Sequence, residues 1–276
     1  MRFLLDDEQA EFGRTLDRML TAADTPAAVR AWADGDQGPG RALWERLGEA
    51  GVFALAVPEA YDGLGPLPVE LAVAFVELGR HAAPGPLVET VAAAVLLDSL
   101  AQNTDGTGDA QSPGGGADLA KEWLPRFASG QSSASLALPG SGPYTLDPDA
   151  ADATFLVTDT AAPAGRTELR LTAGHSPLQR SLDPARRLAR PLADGPPLAS
   201  GPPVRAAADR AATWAAFATA AQSLGVGLAL VERTVAYAKQ RTQFSTVIGS
   251  FQAVKHQLAD ALIGLEFARP LRRGAA

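Results

Sequence analysis

The residues best equipped for chemistry lie in one stretch towards the C-terminal end. Tyr237-Ala238-Lys239-Gln240-Arg241-Thr242-Gln243-Phe244 is followed, after three residues, by Ile248-Gly249-Ser250-Phe251-Gln252-Ala253-Val254-Lys255-His256. Arg241 supplies a planar guanidinium at a helix end, a group that grips a pyrophosphate through two parallel charge-assisted hydrogen bonds. Gln243 and Gln252 add amides, and Phe244 adds an aromatic plate. Ser250 is placed to cap the next helix, whose first N–H groups favour an anion. On residue types alone, the stretch reads as an anion or nucleotide contact or as an ordinary interhelical loop. His256 follows Gln252 by one turn and could share that contact or lie on a helix surface. His81 stands just past a helix end, and His175 falls in a turn. Arg186-Arg187 could meet a phosphate, although a solvated surface pair is the simpler reading.

Composition removes several other chemistries. The 276 residues include no cysteine, which excludes disulfides, zinc–thiolate sites, iron–sulfur clusters and thiol nucleophiles. The three histidines are far apart, so no local metal motif can be drawn. Lys plus Arg is 24 and Asp plus Glu is 31, and the net charge of −7 argues against nucleic acid or an anionic membrane as partner. At 46% hydrophobic and 20% charged, the chain is globular. Met1 to Leu5 runs at once into Asp6, Asp7 and Glu8, leaving no apolar core for a signal peptide. Trp214 to Val231 is uncharged, but it is Ala-rich and carries Thr219, Gln222, Ser223 and two glycines. It reads as a buried helix of a soluble protein rather than a membrane span, with the cytoplasm as the expected location.

The elements that must position the Arg241 stretch follow from periodicity. Phe3, Phe12, Leu16 and Leu20 predict a first helix; Leu43, Trp44 and Leu47 a second, over Arg41 to Ala50; Leu71, Phe75 and Leu78 a third that ends at Gly79. Val88 to Leu100 is a further apolar helix after the Pro84-Gly85-Pro86 break. Residues 101–118, with Gly114-Gly115-Gly116, read as a low-complexity surface loop. Short β-like runs follow at Ser135 to Leu138, Thr154 to Thr158 and Thr167 to Thr172. From Val204 to Arg269 there is no proline, although the chain has 21. Trp214, Phe217, Ala221, Leu224, Leu228, Val231, Val235 and Ala238 form one apolar stripe, and Phe251, Val254, Leu258, Leu262 and Leu265 form a second. Two long helices joined by the Lys239–Ser250 loop make a hairpin whose apolar face requires a partner surface. The expected fold is α+β and mainly α. An N-terminal helical domain spans residues 1–118, a reduced middle β domain 119–204, and an incomplete C-terminal helical bundle 205–276.

Several blocks, in order, resemble the acyl-CoA dehydrogenase family. They are WERLGEAGVFALAVPEAYDGLG from Trp44, VELAVAFVELGRHAAPGPL from Val69, EWLPRFASGQSSASLAL from Glu122, SLDPARRLAR from Ser181, and RTQF with IGSFQAVKHQLAD from Arg241. The resemblance implies the helical, β, helical-bundle fold and FAD-dependent α,β-dehydrogenation of acyl-CoA thioesters in lipid or sterol side-chain catabolism. A glutamate takes the α proton in that reaction, and the flavin takes the β hydride. Arg241 would meet the FAD pyrophosphate, with Gln243, Phe244 and Gln252 also contacting the cofactor, which is shared with a neighbouring subunit. Implied partners are an acyl-CoA substrate, a homologous acyl-CoA dehydrogenase subunit in a homo- or hetero-oligomer, and an electron-transfer flavoprotein as acceptor. Three features depart from the pattern. Ser245 stands where the family usually has glycine. The middle segment is short by roughly one hairpin. No residue can be assigned as the base: Ala215 stands at one family position for it, while Glu232 and Glu266 read as solvated helix residues and Asp260 as a structural pair partner. These departures keep open a non-catalytic subunit that completes a homologue's FAD site, or a truncated inactive product.

Overall fold

The computed structural model describes residues 5–104, 115–160 and 166–274. Phe3 and residues 105–114 of the expected 101–118 loop lie outside the described residues; residues 101–104 and 116–118, expected as loop, are helical because each continues the buried face of a neighbouring helix. The chain divides into two compact units, one made of Ala23–Pro68 and Ala83–Ala216, the other of Met1–Ala22, Val69–Ala82 and Phe217–Ala276.

The first of these is built from α2 (Thr25–Ala33), α3 (Gly38–Glu49), α5 (Leu87–Thr104), α6 (Gly116–Ala128) and the strands. Its four-stranded sheet runs β1 (Ala134–Ala137), β3 (Ala153–Asp159), β4 (Thr167–Thr172), β6 (Pro197–Ser200) in spatial order. β1 and β3 are parallel and the other two pairings antiparallel. β2 (Thr145–Leu146) pairs with β5 (Leu188–Ala189) in a separate two-stranded ladder. The predicted strands are present, with β4 at its predicted bounds. The sequence reading missed α2, α6, β2, β5 and β6. β6 begins with Pro197, which a central strand would reject, but it is an edge strand and needs hydrogen bonds on one side only.

The core of this unit packs α5 and α6 on the sheet, with Leu96, Leu97, Leu124, Phe127 and Phe155 fully or almost fully buried. Trp123 meets Phe155 edge to face at 5.7 Å. The Thr90 hydroxyl ties α5 to β1: it accepts from the Ala134 N–H at 2.9 Å and donates to the Pro86 carbonyl at 2.9 Å. Arg187 corrects the expectation of a solvated arginine pair. Its guanidinium pairs with Asp149 and donates to the Trp32 carbonyl, with its side chain 15% exposed, while Arg186 stays in solvent. This internal ion pair occupies the guanidinium that a phosphate would need.

Asp147 is 1% exposed, and burial pushes its carboxyl up to about 7 although the Arg187 N–H donates to it at 3.1 Å. A carboxyl whose folded pKa is raised contributes stability that is complete below its unfolded value near 4 and is lost as pH rises through about 7. Asp147→Asn is therefore expected to flatten the pH dependence of stability between pH 4 and 7. Urea midpoints measured across that range in both proteins check this; parallel curves would contradict it.

The other unit contains α1 (Asp7–Ala22), α4 (Pro68–Arg80), the C-terminal part of α7 (Pro202–Gln240) and α8 (Gln252–Gly274). α1 opens with a reciprocal capping pair. The Gln9 N–H donates to the Asp6 carboxylate at 2.8 Å, and the Asp6 N–H donates to the Gln9 amide oxygen at 3.2 Å. Leu16, Leu20, Leu71, Phe75, Leu78, Ala218 and Ala221 are fully buried. Gly79 belongs to the last turn of α4. It is there because a Cβ would come within 2.0 Å of the Gln222 carbonyl of α7.

α7 is long and apolar enough to cross a membrane by length and composition, yet only 28% of its most apolar window is buried in this chain. Of the first predicted stripe, Ala221, Leu224, Leu228 and Ala238 are buried. On the second, Phe251 and Leu262 remain 37% and 42% exposed, and Leu230, Ile263 and Phe267 are also exposed. The exposed apolar surface thus matches the predicted stripes only in part: Leu230, Ile263 and Phe267 belong to neither, and the first stripe is partly buried within the chain.

Candidate functional site

α7 ends at Gln240, and the chain turns through a two-stranded hairpin, β7 (Thr242–Gln243) against β8 (Thr246–Val247). The two residues between the strands, Phe244 and Ser245, have φ values of 52° and 62°. Two successive left-handed residues give the two-residue turn whose twist suits a tight hairpin, and asparagine and glycine normally supply it. The Ile248 N–H donates to the Arg241 carbonyl at 2.8 Å, closing the base of the hairpin. Gly249 packs under the end of α7, where a Cβ would come within 3.0 Å of the Ala238 carbonyl.

This frame fixes where the candidate residues sit. Arg241, Gln243, Phe244 and Gln252 are all exposed, Phe244 by 89%. Among the described residues, the Arg241 side chain has no hydrogen-bond or ion-pair partner. Phe244 touches Phe251 edge to face at 6.4 Å. Ser250 does not cap α8 as expected. Its hydroxyl donates to the Val247 carbonyl at 2.7 Å, because a 3-10 turn over Ile248–Ser250 separates it from the helix. Phe251, with φ −70° and ψ 129°, precedes the first turn of α8. Among the described residues, no side chain caps the early α8 N–H groups, which leaves them available to an anion. The structure thus brings Arg241, Gln243 and Phe244 onto one hairpin and places Gln252 at the start of the helix it leads into. His256 is exposed one turn further along α8. These donors and the aromatic plate fit a dinucleotide such as FAD: a free guanidinium and helix N–H groups for phosphate, amides and a ring for the rest.

The positive φ at Ser245 carries a cost that glycine would avoid. Ser245→Gly is expected to raise stability by about 1 kcal/mol without changing ligand contacts. Thermal melts of the two proteins check this; a lower midpoint in the variant would contradict the strained turn.

The acidic residues considered for catalysis have structural partners or none. Glu232 accepts from Arg80 at 2.9 Å, and Glu266 pairs with Arg269 at 3.3 Å. Asp260 has no ion-pair partner among the described residues, contrary to its expected pairing role. Ala215 lies in the partly buried shell of the first unit's core. His175 forms an isolated antiparallel bridge with Pro191 rather than the expected turn, its Nδ1 2.7 Å from the Ser176 carbonyl.

The comparisons agree with this architecture. Residues 6–131 match the family model for the acyl-CoA dehydrogenase N-terminal domain, and residues 205–276 match the model for its C-terminal domain. The chain is 32% identical over 271 residues to acyl-CoA dehydrogenase IpdE2 of Mycobacterium tuberculosis, covering 95% of this chain and 74% of that protein. It is 31% identical to acyl-CoA dehydrogenase FadE34 of the same organism over 255 residues, 90% of this chain and 34% of FadE34. Among solved structures, it superposes on the Tcur3481-Tcur3483 steroid ACAD G363A variant with a TM-score of 0.73 at 26% identity, covering 98% of this chain and 77% of that one. The ChsE4-ChsE5 complex from Mycobacterium tuberculosis shares the fold, with a TM-score of 0.75 at 24% identity and coverage of 100% and 79%. The chain belongs to the acyl-CoA dehydrogenase family, with that family's mainly helical α+β fold.

Proposed function

We propose that this chain is a cytoplasmic subunit of an FAD-dependent acyl-CoA dehydrogenase assembly acting on acyl-CoA thioesters of the lipid or sterol side-chain type. Residues 1–118, 119–204 and 205–276 serve as its helical, β and C-terminal helical domains. The observation that carries the reading is the exposed Arg241, without a side-chain partner among the described residues, on a hairpin fixed by backbone bonds beside Phe244 and the start of α8. Bound there, FAD would supply hydride acceptance. Arg241 would hold its pyrophosphate, while Gln243, Phe244 and Gln252 orient and cover it. An electron-transfer flavoprotein is the expected electron acceptor.

A specific observation favours a mixed assembly in which a homologous subunit carries the base. Two of the structural neighbours bear names of two components, Tcur3481-Tcur3483 and ChsE4-ChsE5. The exposed apolar face of α7 and α8 is the surface such a subunit would cover. Here this chain lends the Arg241 hairpin to a shared FAD site. The test is dehydrogenation of a steroid side-chain acyl-CoA with an artificial electron acceptor. Turnover is expected from the mixture with the full-length homologue and not from this chain alone; turnover by the isolated chain would overturn the mixed reading.

A further inference from the structure

A second cluster of polar groups lies in the unit formed by α1, α4, α7 and α8, and the dehydrogenation proposal does not use it. Asp17 projects from α1. Glu77 and His81 follow one another at a spacing of four, with the His81 N–H still bonded to the Glu77 carbonyl at 3.1 Å. That spacing places both side chains on one face of the same helical turn. His81 Nε2 is 2.8 Å from Asp17 Oδ1. One donor atom from each of the three residues lies within 4.8 Å of the others. The sequence drew no metal motif because Asp17 is 64 positions from His81, and only packing of α1 on α4 unites them.

Two further observations point to a ligand. The His81 and Glu77 side chains are each only 16% exposed, and Glu77 Oε2 is buried with no hydrogen-bond donor among the described residues. Arg80 Nε lies 3.3 Å from that oxygen, while another nitrogen of the same guanidinium is committed to Glu232 at 2.9 Å. In addition, Asp17 and Glu77 both line a cavity of about 320 Å³, together with apolar side chains such as Val73 and the arginines Arg14, Arg80 and Arg269, which leaves room for water ligands.

We propose that Asp17, Glu77 and His81 form a binding site for one divalent transition-metal ion of the zinc class. One imidazole and two carboxylates are a donor set that such ions accept, and water from the cavity would complete the coordination. Metal–ligand bonds of about 2.0–2.2 Å require donor separations of roughly 3–3.5 Å, which side-chain rotations reach from the observed spacing. Arg80 keeps its place outside the donors and orients the Glu77 carboxylate, as outer-shell groups do.

The test is titration of the full, EDTA-washed chain with Zn²⁺ by calorimetry, with Co²⁺ absorption as a second readout. The proposal expects one equivalent bound and visible Co²⁺ bands. It also expects at least about tenfold weaker Zn²⁺ binding in both His81→Gln and Asp17→Asn, each with an unchanged far-UV circular dichroism spectrum. Absence of saturable one-to-one binding would overturn it, as would unchanged affinity in either variant. If a variant loses its fold, Glu77→Gln takes its place under the same criterion.

Discussion

Arg241→Ala is expected to leave the chain folded while stripping most flavin from its complex with a full-length homologous subunit. The side chain is exposed and bonded to nothing among the described residues, so its removal opens no cavity and strands no buried group. Its proposed worth lies entirely in charge-assisted hydrogen bonds to a pyrophosphate. Losing two of these costs about 3 kcal/mol, on the order of a hundredfold in affinity. Arg241→Lys keeps the charge but not the fork, and is expected to fall between the two. Flavin content per complex, read from visible absorbance after gel filtration, checks the series. Equal flavin in all three proteins would remove Arg241 from the cofactor site.

The second large effect concerns packing. Gly225 on α7 lies against α4 so closely that a Cβ would sit 2.0 Å from the Val76 carbonyl and 2.9 Å from the Arg80 nitrogen. Backbone cannot yield there as a flexible side chain would. Gly225→Val is expected to destabilise this unit by about 3 kcal/mol, with a fall in melting temperature of roughly 6–12 °C. Gly264 on α8 provides the contrast, because a Cβ there meets nothing within 4 Å. Gly264→Ala in the same unit is expected to stabilise by about 0.8 kcal/mol through helix propensity alone. Opposite signs in the two melts support close packing of α4 on α7; a neutral Gly225→Val would refute it.

The parts of the fold legible in the sequence were those with strong periodicity. The long α7 and the later helix α8 repeat apolar residues at helical intervals, and β1, β3 and β4 are short β-prone runs bounded by turn residues. The missed elements lack it. β2 and β5 are two residues each, and β6 hides behind its proline at a sheet edge. α2 is a short helix entered through Asp24 in a left-handed conformation, which reads as a turn. Gly79 looked like a stop signal because sequence shows a missing side chain but not the backbone that fills its place. In the candidate site, residue types marked Arg241, Gln243, Phe244 and Gln252, and local geometry then assembled the first three on one hairpin. The role of Ser250 was misread because an intervening 3-10 turn cannot be seen in composition. The Asp17–Glu77–His81 cluster was invisible for a different reason: its members meet only after α1 packs on α4. Arg187 likewise looked solvated until folding brought it to Asp149.

The role proposed for the Arg241 hairpin is to complete an FAD site shared with a homologous subunit. The most direct measurement is the visible flavin spectrum of the purified chain, recorded alone and after co-expression with its full-length homologue. The absorbance bands of bound flavin are expected in the co-purified mixture and not in the chain by itself. Stoichiometric flavin on the isolated chain, undiminished by Arg241→Ala, would contradict it.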